Sequence, residues 1–230
     1  ATMPELPPRT RRCLQLAPIS NAVAPPAVGS TYISSGREYT LSRSLGQQDT
    51  FGSIWAAIDS ATGSTVAIKM IEKGGHTTVA AFENEWMTMR LCATDGVVEC
   101  LDLFATQQHY CLVMPLASKD LFEYLQVDCN GRLDQDSALA IVRQLQCAVR
   151  ALHAAGYAHM DIKLENVLVY RTSEGQLDVK LADTGLACRC GAGPACWRGY
   201  GTTKYDSPTM RGKNIYPMSA DNYALGLTLL

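Results

Sequence analysis

The sequence lacks a long hydrophobic run and a large excess of charge. No stretch of its 230 residues approaches the roughly 18 consecutive apolar residues that a membrane-spanning helix needs, so no transmembrane segment is predicted. Lys plus Arg number 20 and Asp plus Glu number 22, which gives a formal net charge of −2. That balance gives no electrostatic reason to expect nucleic acid or an anionic membrane as the main partner. With 47% hydrophobic and 18% charged residues, the composition is that of a globular chain rather than a disordered one.

The nine cysteines lack the spacing of a zinc site. Cys188-Arg189-Cys190 is followed by Cys196, which leaves a C-x-C and one thiol instead of paired C-x-x-C motifs. A disulfide in this Gly-rich segment is favoured instead, and it would need an oxidising compartment. Because Cys188 and Cys190 are too close in sequence to bridge without strain, Cys196 is expected to be one partner. Free buried thiols are expected for the other cysteines.

Three regions of the chain differ in composition and in predicted secondary structure. Residues 1–36 are rich in proline and have little periodic pattern, which indicates an extended N-terminal extension. Residues 37–116 are mainly strand-like, and residues 117–230 are mainly helical. The predicted strands are Ser53–Asp59, Thr65–Ile71, Val97–Phe104 and Tyr110–Leu116, with Gly63 in the first turn, and a later hairpin pairs residues 166–170 with 177–181.

Apolar residues at helical spacing predict the main helices. Thr77–Cys92, capped by Thr77 or Thr78, has an apolar stripe of Val79, Phe82, Trp86 and Met89. A short helix covers Asp120–Gln126, and a long one covers Asp136–Ala154 with Leu139, Val142, Leu145, Val149 and Leu152 on one face and Gly156 as its stop. Glu83 and Glu85 flank the first stripe by similar angles, so periodicity does not choose between them.

Three short motifs carry groups suited to phosphate chemistry. His159-Met160-Asp161-Ile162-Lys163-Leu164-Glu165-Asn166 places an acid, a cation and an amide within eight residues. Asp183-Thr184-Gly185 follows the predicted hairpin, and an earlier strand contains Val66-Ala67-Ile68-Lys69. Together they resemble the catalytic loop, the metal-binding motif and the phosphate-gripping lysine strand of protein kinases. Gly201–Pro208 is similar to the G-T-x-x-Y-x-A-P segment of the same family.

The resemblance implies a fold. A protein kinase has an α+β, two-lobed architecture, with a small β-rich N-lobe expected over residues 37–116 and a larger helical C-lobe over residues 117–230. Asp221–Leu227 resembles the start of the buried central helix of the larger lobe. The C-lobe is therefore expected to be incomplete here, and residues 1–230 alone are expected to expose apolar surface and to be poorly soluble.

The resemblance also implies a reaction, the ATP- and Mg²⁺-dependent transfer of the γ-phosphate to serine or threonine hydroxyls of a protein substrate. Asp161 would orient the substrate hydroxyl and accept its proton. Lys163 would stabilise the charge on the moving phosphate. Asn166 and Asp183 would bind Mg²⁺.

Further residues are implied to bind the nucleotide. Lys69 would hold the α- and β-phosphates and would itself be held by Glu85, which fits the family spacing better than Glu83. The remaining positions are Gly46 and Gly52 of the glycine-rich loop, Met114 as gatekeeper, Leu116 beside the adenine and Asp120 near the ribose.

Several positions depart from the family pattern. The glycine-rich loop lacks its middle glycine, and Thr184 replaces the phenylalanine of D-F-G. Met160 replaces the arginine that pairs with a phosphate on the activation segment, so residues 183–208 are expected to be ordered in another way. Activity is accordingly expected to resist phosphatase and to fall on reduction or in Cys196→Ser.

The departures leave more than one function open. A pseudokinase that binds nucleotide or a partner without efficient catalysis is the main alternative to an enzyme, and a small-molecule kinase fits less well. The degraded glycine loop, the Leu112-Val113-Met114-Pro115 hinge, the proline-rich extension and the cysteines look most like the secreted rhoptry kinases of apicomplexan parasites. That likeness implies secretion into the host cell or the parasitophorous vacuole and a host-cell protein partner, with a cytoplasmic location as the alternative.

Overall fold

The computed structural model describes residues 25–46, 52–74, 79–92, 96–190, 203–208 and 216–229. These residues divide into two compact units. The N-terminal unit comprises residues up to Phe82 together with Cys100–Leu116, and the C-terminal unit comprises Glu83–Glu99 and Ala117–Leu230. Most of the proline-rich extension, the middle of the glycine-rich loop and Cys196 lie outside the described residues.

The N-terminal unit contains a six-stranded antiparallel sheet in the order β1-β2-β3-β4-β6-β5. Its strands are β1 (Thr31–Ser34), β2 (Arg37–Ser44), β3 (Ser53–Asp59), β4 (Thr65–Glu72), β5 (Asp102–Ala105) and β6 (His109–Pro115). The turn between β3 and β4 has Gly63 at φ +70°, as predicted, and the Gly63 amide donates to the Asp59 carbonyl at 2.8 Å. Every residue of β4 from Val66 to Ile71 is buried, which marks it as a central strand.

Aromatic side chains fill the core of this unit. Tyr39 is fully buried and stacks on Phe104 with ring centroids 5.9 Å apart, and Tyr32 lies at 6.0 Å from the same ring. The Tyr39 hydroxyl donates to Asp102 Oδ2 at 3.0 Å. A buried tyrosine needs such a partner, because an unpaired hydroxyl in an apolar core is costly.

The C-terminal unit is mainly helical. Helix α1 is Val79–Cys92, and its residues from Glu83 onward belong to this unit; the other helices are α2 (Leu121–Val127), α3 (Gln135–Ala154) and α4 (Pro217–Thr228). Short strands form two small sheets, β10-β9-β7 and β11-β8, from β7 (Lys119–Asp120), β8 (Tyr157–Ala158), β9 (Val167–Arg171), β10 (Leu177–Leu181) and β11 (Cys188–Arg189). Within the described part of the chain, none of the helices has the length and apolarity required to span a bilayer.

Helix α3 packs against the β9–β10 hairpin and forms the core of this unit. Its N-cap is Asp134, whose side chain accepts from the Ser137 amide at 2.9 Å. The buried residues of α3 are Ile141, Leu145, Ala148, Val149 and Leu152, which share one core cluster with Val167, Val169, Val179 and Leu181. The prediction of Leu139 on this face was wrong, because six residues turn the helix to about 120° from Leu145. Leu139 is 43% exposed and Ile141 takes the core position.

Two other element predictions need correction. The strand predicted over Val97–Phe104 exists only as β5, and Val97 instead makes a single parallel bridge to Leu181. Val79, placed in the apolar stripe of α1, is 45% exposed because it is the first residue of that helix, whereas Phe82, Trp86 and Met89 are buried. The predicted caps Thr77 and Thr78 lie outside the described residues.

Truncation of Leu145 should destabilise the C-terminal unit far more than truncation of Leu139. Leu145→Ala opens a cavity in a closed core and is expected to cost about 2–5 kcal/mol. The matched variant Leu139→Ala, on the same helix but at an exposed site, is expected to cost less than about 1 kcal/mol. Urea unfolding followed by circular dichroism measures both, and equal losses would contradict the placement of the α3 face.

Candidate active site

The segment between β8 and β9 brings three of the predicted catalytic residues together. Lys163 Nζ lies 2.9 Å from Asp161 Oδ2. Asn166 Nδ2 donates to the same Oδ2 at 2.9 Å and to the Asp161 carbonyl at 2.8 Å. Leu164–Asn166 forms a single 3₁₀ turn, which folds the amide back onto the aspartate. The Asp161 carboxylate is thus held in one orientation by a cation and an amide.

A buried carboxylate from α4 holds the start of this segment. Asp221 is only 1% exposed, and it accepts from the His159 amide at 2.7 Å and from the Met160 amide at 2.9 Å. His153 Nε2 lies 2.8 Å from Asp221 Oδ2 and is the donor of that pair, because a carboxylate only accepts. These donors compensate the burial of the charge. Met160 has φ +69°, and the hydrogen bond from its amide helps to hold this uncommon conformation.

His159 joins the catalytic segment to the residue before Asp183. The imidazole is fully buried; Nδ1 accepts from the Asp161 amide at 3.3 Å and Nε2 lies 3.0 Å from the Ala182 carbonyl. A carbonyl accepts only, so Nε2 carries the hydrogen and the ring is the neutral Nε2–H tautomer. The return bond runs from the Ala182 amide to the Asn166 carbonyl at 2.9 Å.

The carboxylates of Asp183 and Glu85 both lie close to Gly185. Asp183 has a left-handed backbone, φ 57° and ψ 57°, directly after β10, and precedes the 3₁₀ turn Thr184–Leu186. A Cβ atom added to Gly185 would stand 3.4 Å from Glu85 Oε2 and 3.7 Å from Asp183 Oδ1. Of the two candidate glutamates, Glu85 is the buried one, at 2% exposure, and Glu83 is half-buried. The pairing of Glu85 with Lys69 stays a prediction.

The residues predicted to bind Mg²⁺ fit a hard divalent cation. Both hydrogen bonds of the Asn166 amide run from Nδ2 to Asp161, so its Oδ1 points elsewhere and accepts from no donor among the described residues. Amide and carboxylate oxygens are the ligands that Mg²⁺ prefers, and the ion commonly takes only one or two carboxylates from the protein. Among the described residues, no cluster of three or more His, Cys, Asp or Glu side chains has metal-ligand geometry.

The predicted nucleotide-binding residues of the N-terminal unit lie on neighbouring strands. Lys69, in β4, is buried and stands opposite Leu112 of β6, while Met114 stands opposite Ala67, and Leu116 follows the end of β6. Their contacts with a nucleotide remain a prediction.

The two glycines of the predicted phosphate loop differ in their surroundings. Gly52 has φ +127°, and a Cβ added there would overlap the carbonyl oxygen of Met70. Only glycine fits where β3 begins. A Cβ at Gly46 would meet no atom within 4 Å. Residues 47–51, which separate the two glycines, lie outside the described part of the chain.

Asp120 has a structural role in addition to the one predicted near the ribose. It is the N-cap of α2, and its Oδ1 accepts from the Glu123 amide at 2.8 Å. Capping of this kind typically contributes about 1 kcal/mol to helix stability.

The predicted disulfide is not formed at either of the two described cysteines. Cys188 and Cys190 carry free thiols, and the Cys190 thiol lies 3.7 Å from the Cys188 carbonyl. Burial, with the neighbouring Cys190 thiol and the Asp221 carboxylate, raises the pKa of Cys188 to about 12. Reduction therefore has no bond to break at these two residues, whereas Cys196 is outside the described residues.

A sequence model of the protein kinase domain matches residues 39–230. The chain belongs to the protein kinase family. The β-rich sheet and the helical C-terminal elements are those of the α+β, two-lobed kinase fold. The catalytic segment, residues 159–166, and the Asp183 motif are the parts of the chain predicted to carry the chemistry of this family.

Individual kinases from several organisms are similar to this chain. It is 33% identical over 199 residues to "Probable serine/threonine-protein kinase zyg-1" of Caenorhabditis briggsae, covering 85% of this chain and 27% of that protein. It is 32% identical over 208 residues to "CBL-interacting serine/threonine-protein kinase 16" of Arabidopsis thaliana, covering 84% of this chain and 43% of that protein. It is 31% identical over 186 residues to "Serine/threonine-protein kinase TIO" of Arabidopsis thaliana, covering 79% of this chain and 14% of that protein. The chain therefore spans less than half the length of these three relatives.

Sequence reasoning missed the role of two site residues. Asp221 was noted only as the first residue of the central kinase helix, and His153 only as part of the end of a helix. The signal for Asp221 is an acid beside the apolar residues Ala220, Ala224 and Leu225 of one helix, since a buried acid requires donors. His153 gives no such signal, because a basic residue in the last turn is ordinary for an amphipathic helix.

Loss of the Asp221 acceptor should loosen the catalytic segment. Each carboxylate oxygen of Asp221 accepts a hydrogen bond from a backbone N–H group. Asp221→Asn replaces one of these oxygens by an NH₂ group, which cannot accept. We therefore expect the unfolding free energy to fall by at least about 1.5–3 kcal/mol. The control is Asp178→Asn on β10, whose carboxylate is 40% exposed and lies 3.9 Å from Lys180. That exposed pair is expected to contribute less than about 1 kcal/mol. Similar losses in both variants, measured by urea unfolding, would contradict the anchoring role of Asp221.

Cys188 should be slow to react with iodoacetamide. The thiolate is the nucleophile, and a pKa of about 12 keeps Cys188 protonated at pH 7.5. Cys147 on α3 is exposed and serves as the internal reference. Mass spectrometry of the folded protein is expected to find Cys147 alkylated well before Cys188, and addition of urea is expected to remove the difference. Equal rates in the folded protein would contradict the buried environment of Cys188.

Proposed function

We propose that this chain is the catalytic domain of a serine/threonine protein kinase that transfers the γ-phosphate of ATP to protein hydroxyls. The observation that carries the proposal is the joined set of Asp161, Lys163 and Asn166, in which the carboxylate is held by both other side chains. A chain that only served as a scaffold would have no physical need to orient these three groups together. The domain match and the names of the relatives support the same reaction class.

The proposed roles follow from the chemistry of each group. Phosphoryl transfer depends on positioning and charge stabilisation rather than on covalent catalysis. Asp161 orients the substrate hydroxyl and accepts its proton, while Lys163, already at 2.9 Å from that carboxylate, supplies positive charge beside it. Asn166 fixes the aspartate through Nδ2 and offers Oδ1 to the metal together with Asp183. A bound Mg²⁺ would neutralise charge on the phosphate oxygens.

Lys69 is proposed to contact the α- and β-phosphates, with Glu85 as its orienting partner. Lys69 is an ammonium on a buried central strand, and a buried charge of this kind requires compensation by a ligand or an anion. Gly46, Gly52, Met114, Leu116 and Asp120 complete the proposed nucleotide-binding set.

The alternative function is a pseudokinase that binds nucleotide or a partner protein. It is favoured by the sequence of the glycine-rich loop, because the missing middle glycine leaves fewer backbone N–H groups to approach the phosphates, and Asp49 would repel phosphates if it pointed inward. Against it stands the complete set of charged and amide groups listed by the family mechanism, Lys69, Asp161, Lys163, Asn166 and Asp183.

Phosphotransfer from labelled ATP to a generic protein substrate tests the enzyme reading. Lys69→Met and Asp183→Asn are each expected to lower the rate by at least about 100-fold, since each removes charge stabilisation worth several kcal/mol. The matched variants Lys180→Met and Asp178→Asn change the same residue types on β10 and are expected to leave the rate unchanged. Circular dichroism should be the same for all four. Full activity in Lys69→Met or Asp183→Asn would contradict the proposed mechanism.

Nucleotide binding separates the enzyme from the pseudokinase. A wild-type chain that binds fluorescent ATP and Mg²⁺ but transfers no phosphate would be a pseudokinase. A chain that binds neither would be a scaffold of another kind.

The narrower assignment, a secreted rhoptry-type kinase that acts on a host-cell protein, is a proposal from sequence features alone. Its support is the proline-rich extension, the Leu112–Pro115 hinge and the altered glycine loop. The free thiols at Cys188 and Cys190 add nothing to the case for an oxidising compartment. Immunolocalisation in the source cell tests it, and a cytoplasmic signal would favour the alternative location.

A further inference from the structure

Two buried threonines join α1 to the Asp183 motif. Thr184 occupies the position next to Asp183, and Thr88 lies on α1, one helical turn after Glu85; both threonines are fully buried. Their hydroxyl groups are hydrogen-bonded to each other although 96 residues separate them in sequence. We propose that this hydroxyl pair positions Asp183 relative to the helix that carries Glu85. The threonines are positioning residues, and the consequence for magnesium binding rests on the proposed kinase function.

The bonding pattern extends from the pair to the backbone of Glu85. Thr88 Oγ1 donates to the Glu85 carbonyl at 2.9 Å, and Thr184 Oγ1 lies 3.4 Å from the same oxygen. A hydroxyl has one hydrogen and two acceptor sites. The arrangement in which Thr184 donates to Thr88 and Thr88 donates to Glu85 uses the hydrogen of each hydroxyl once. It connects the residue after Asp183 to the backbone of the glutamate.

At the position of Thr184, protein kinases usually have a phenylalanine that makes apolar contacts, whereas Thr184 makes a directional hydrogen bond. Phenylalanine at the position of Thr184 would pack in any of several orientations, whereas a hydrogen bond fixes both distance and angle. Gly185, the residue after Thr184, lies close to both carboxylates, because a Cβ built on it would stand within 4 Å of Glu85 Oε2 and of Asp183 Oδ1. A shift of the Asp183 motif away from α1 would break the hydroxyl pair.

The cost of removing one hydroxyl differs from the cost of removing both. Thr→Val keeps the shape of the side chain and deletes the hydroxyl. A single Val removes the bond between the two hydroxyls while the other hydroxyl stays buried, which destabilises the fold, whereas two facing Val side chains leave an apolar contact that is nearly neutral. A hydrogen-bonded pair therefore predicts strong coupling between the two substitutions.

A double-mutant cycle on the full chain without nucleotide tests the pair. Thr88→Val and Thr184→Val are each expected to lower the thermal unfolding midpoint by roughly 2–4 °C or more. The double variant is expected to unfold no earlier than the worse single variant. The matched control is Thr31→Val with Thr40→Val, an exposed cross-strand pair with hydroxyls 3.3 Å apart, for which we expect effects near zero that simply add. Additive losses at Thr88 and Thr184 would overturn the proposal.

Magnesium dependence tests the positioning role. In the wild type, Mg²⁺ is expected to strengthen binding of a fluorescent ATP analogue, and Thr184→Val is expected to lose most of that Mg²⁺ effect while binding metal-free nucleotide as before. Thr184→Ser and Thr88→Ser keep the hydroxyl and lose only a methyl group, so both should retain the effect. If the serine variants lose it as fully as the valine variants, packing rather than the hydrogen bond positions Asp183 and the proposal is wrong.

The two tests separate the failure of this inference from the failure of the proposed function. The unfolding cycle needs neither nucleotide nor activity, so it decides the pair by itself. A wild-type protein with coupled threonines but no Mg²⁺ effect on nucleotide binding would refute the proposed function, and with it the positioning role, while leaving the hydroxyl pair as a structural link.

Discussion

The candidate active site depends on one buried carboxylate. Asp221 is placed in the core by α4, where His153 and the amides of His159 and Met160 donate to its carboxylate and compensate for its burial. The dependence is mutual. The backbone at Met160 has a positive φ that its side chain does not favour, and the bond to Asp221 compensates for it. The position of the catalytic segment is therefore set by the core of the C-terminal unit.

A series of hydrogen bonds connects Asp221 to the residues of the proposed reaction. The His159 ring binds the Ala182 carbonyl, and the Ala182 amide binds the Asn166 carbonyl, so the catalytic segment and the strand leading to Asp183 are tied at two points. Asn166 and Lys163 then hold the carboxylate of Asp161. Several of these bonds join residues that are distant in sequence, and the series as a whole links α4 to Asp161 and to the strand that leads to Asp183.

Local spacing made some of this predictable. Asp161, Lys163 and Asn166 lie within six residues of one another, so any compact loop brings them close, and the motif that contains them could be read directly. The β3–β4 hairpin followed from a turn with Gly63 between two strand-like stretches. Helix α3 was found from its period, but one residue of its predicted face, Leu139, is exposed and Ile141 is buried instead. The long-range polar contacts were not predictable in the same way. Thr88 and Thr184 are 96 residues apart, and two threonines leave no hydrophobic pattern to connect them.

Gly52 changes how variants of this domain should be interpreted. A Cβ atom at Gly52 would overlap the carbonyl oxygen of Met70 where β3 begins. The sheet therefore requires glycine at this position whether or not a nucleotide is bound. A descendant that had abandoned catalysis would still be forced to keep this glycine. Gly52 is thus a poor marker of enzymatic competence, whereas Lys163, which lies outside the sheet and beside Asp161, is a residue that a non-catalytic descendant would have no such reason to keep.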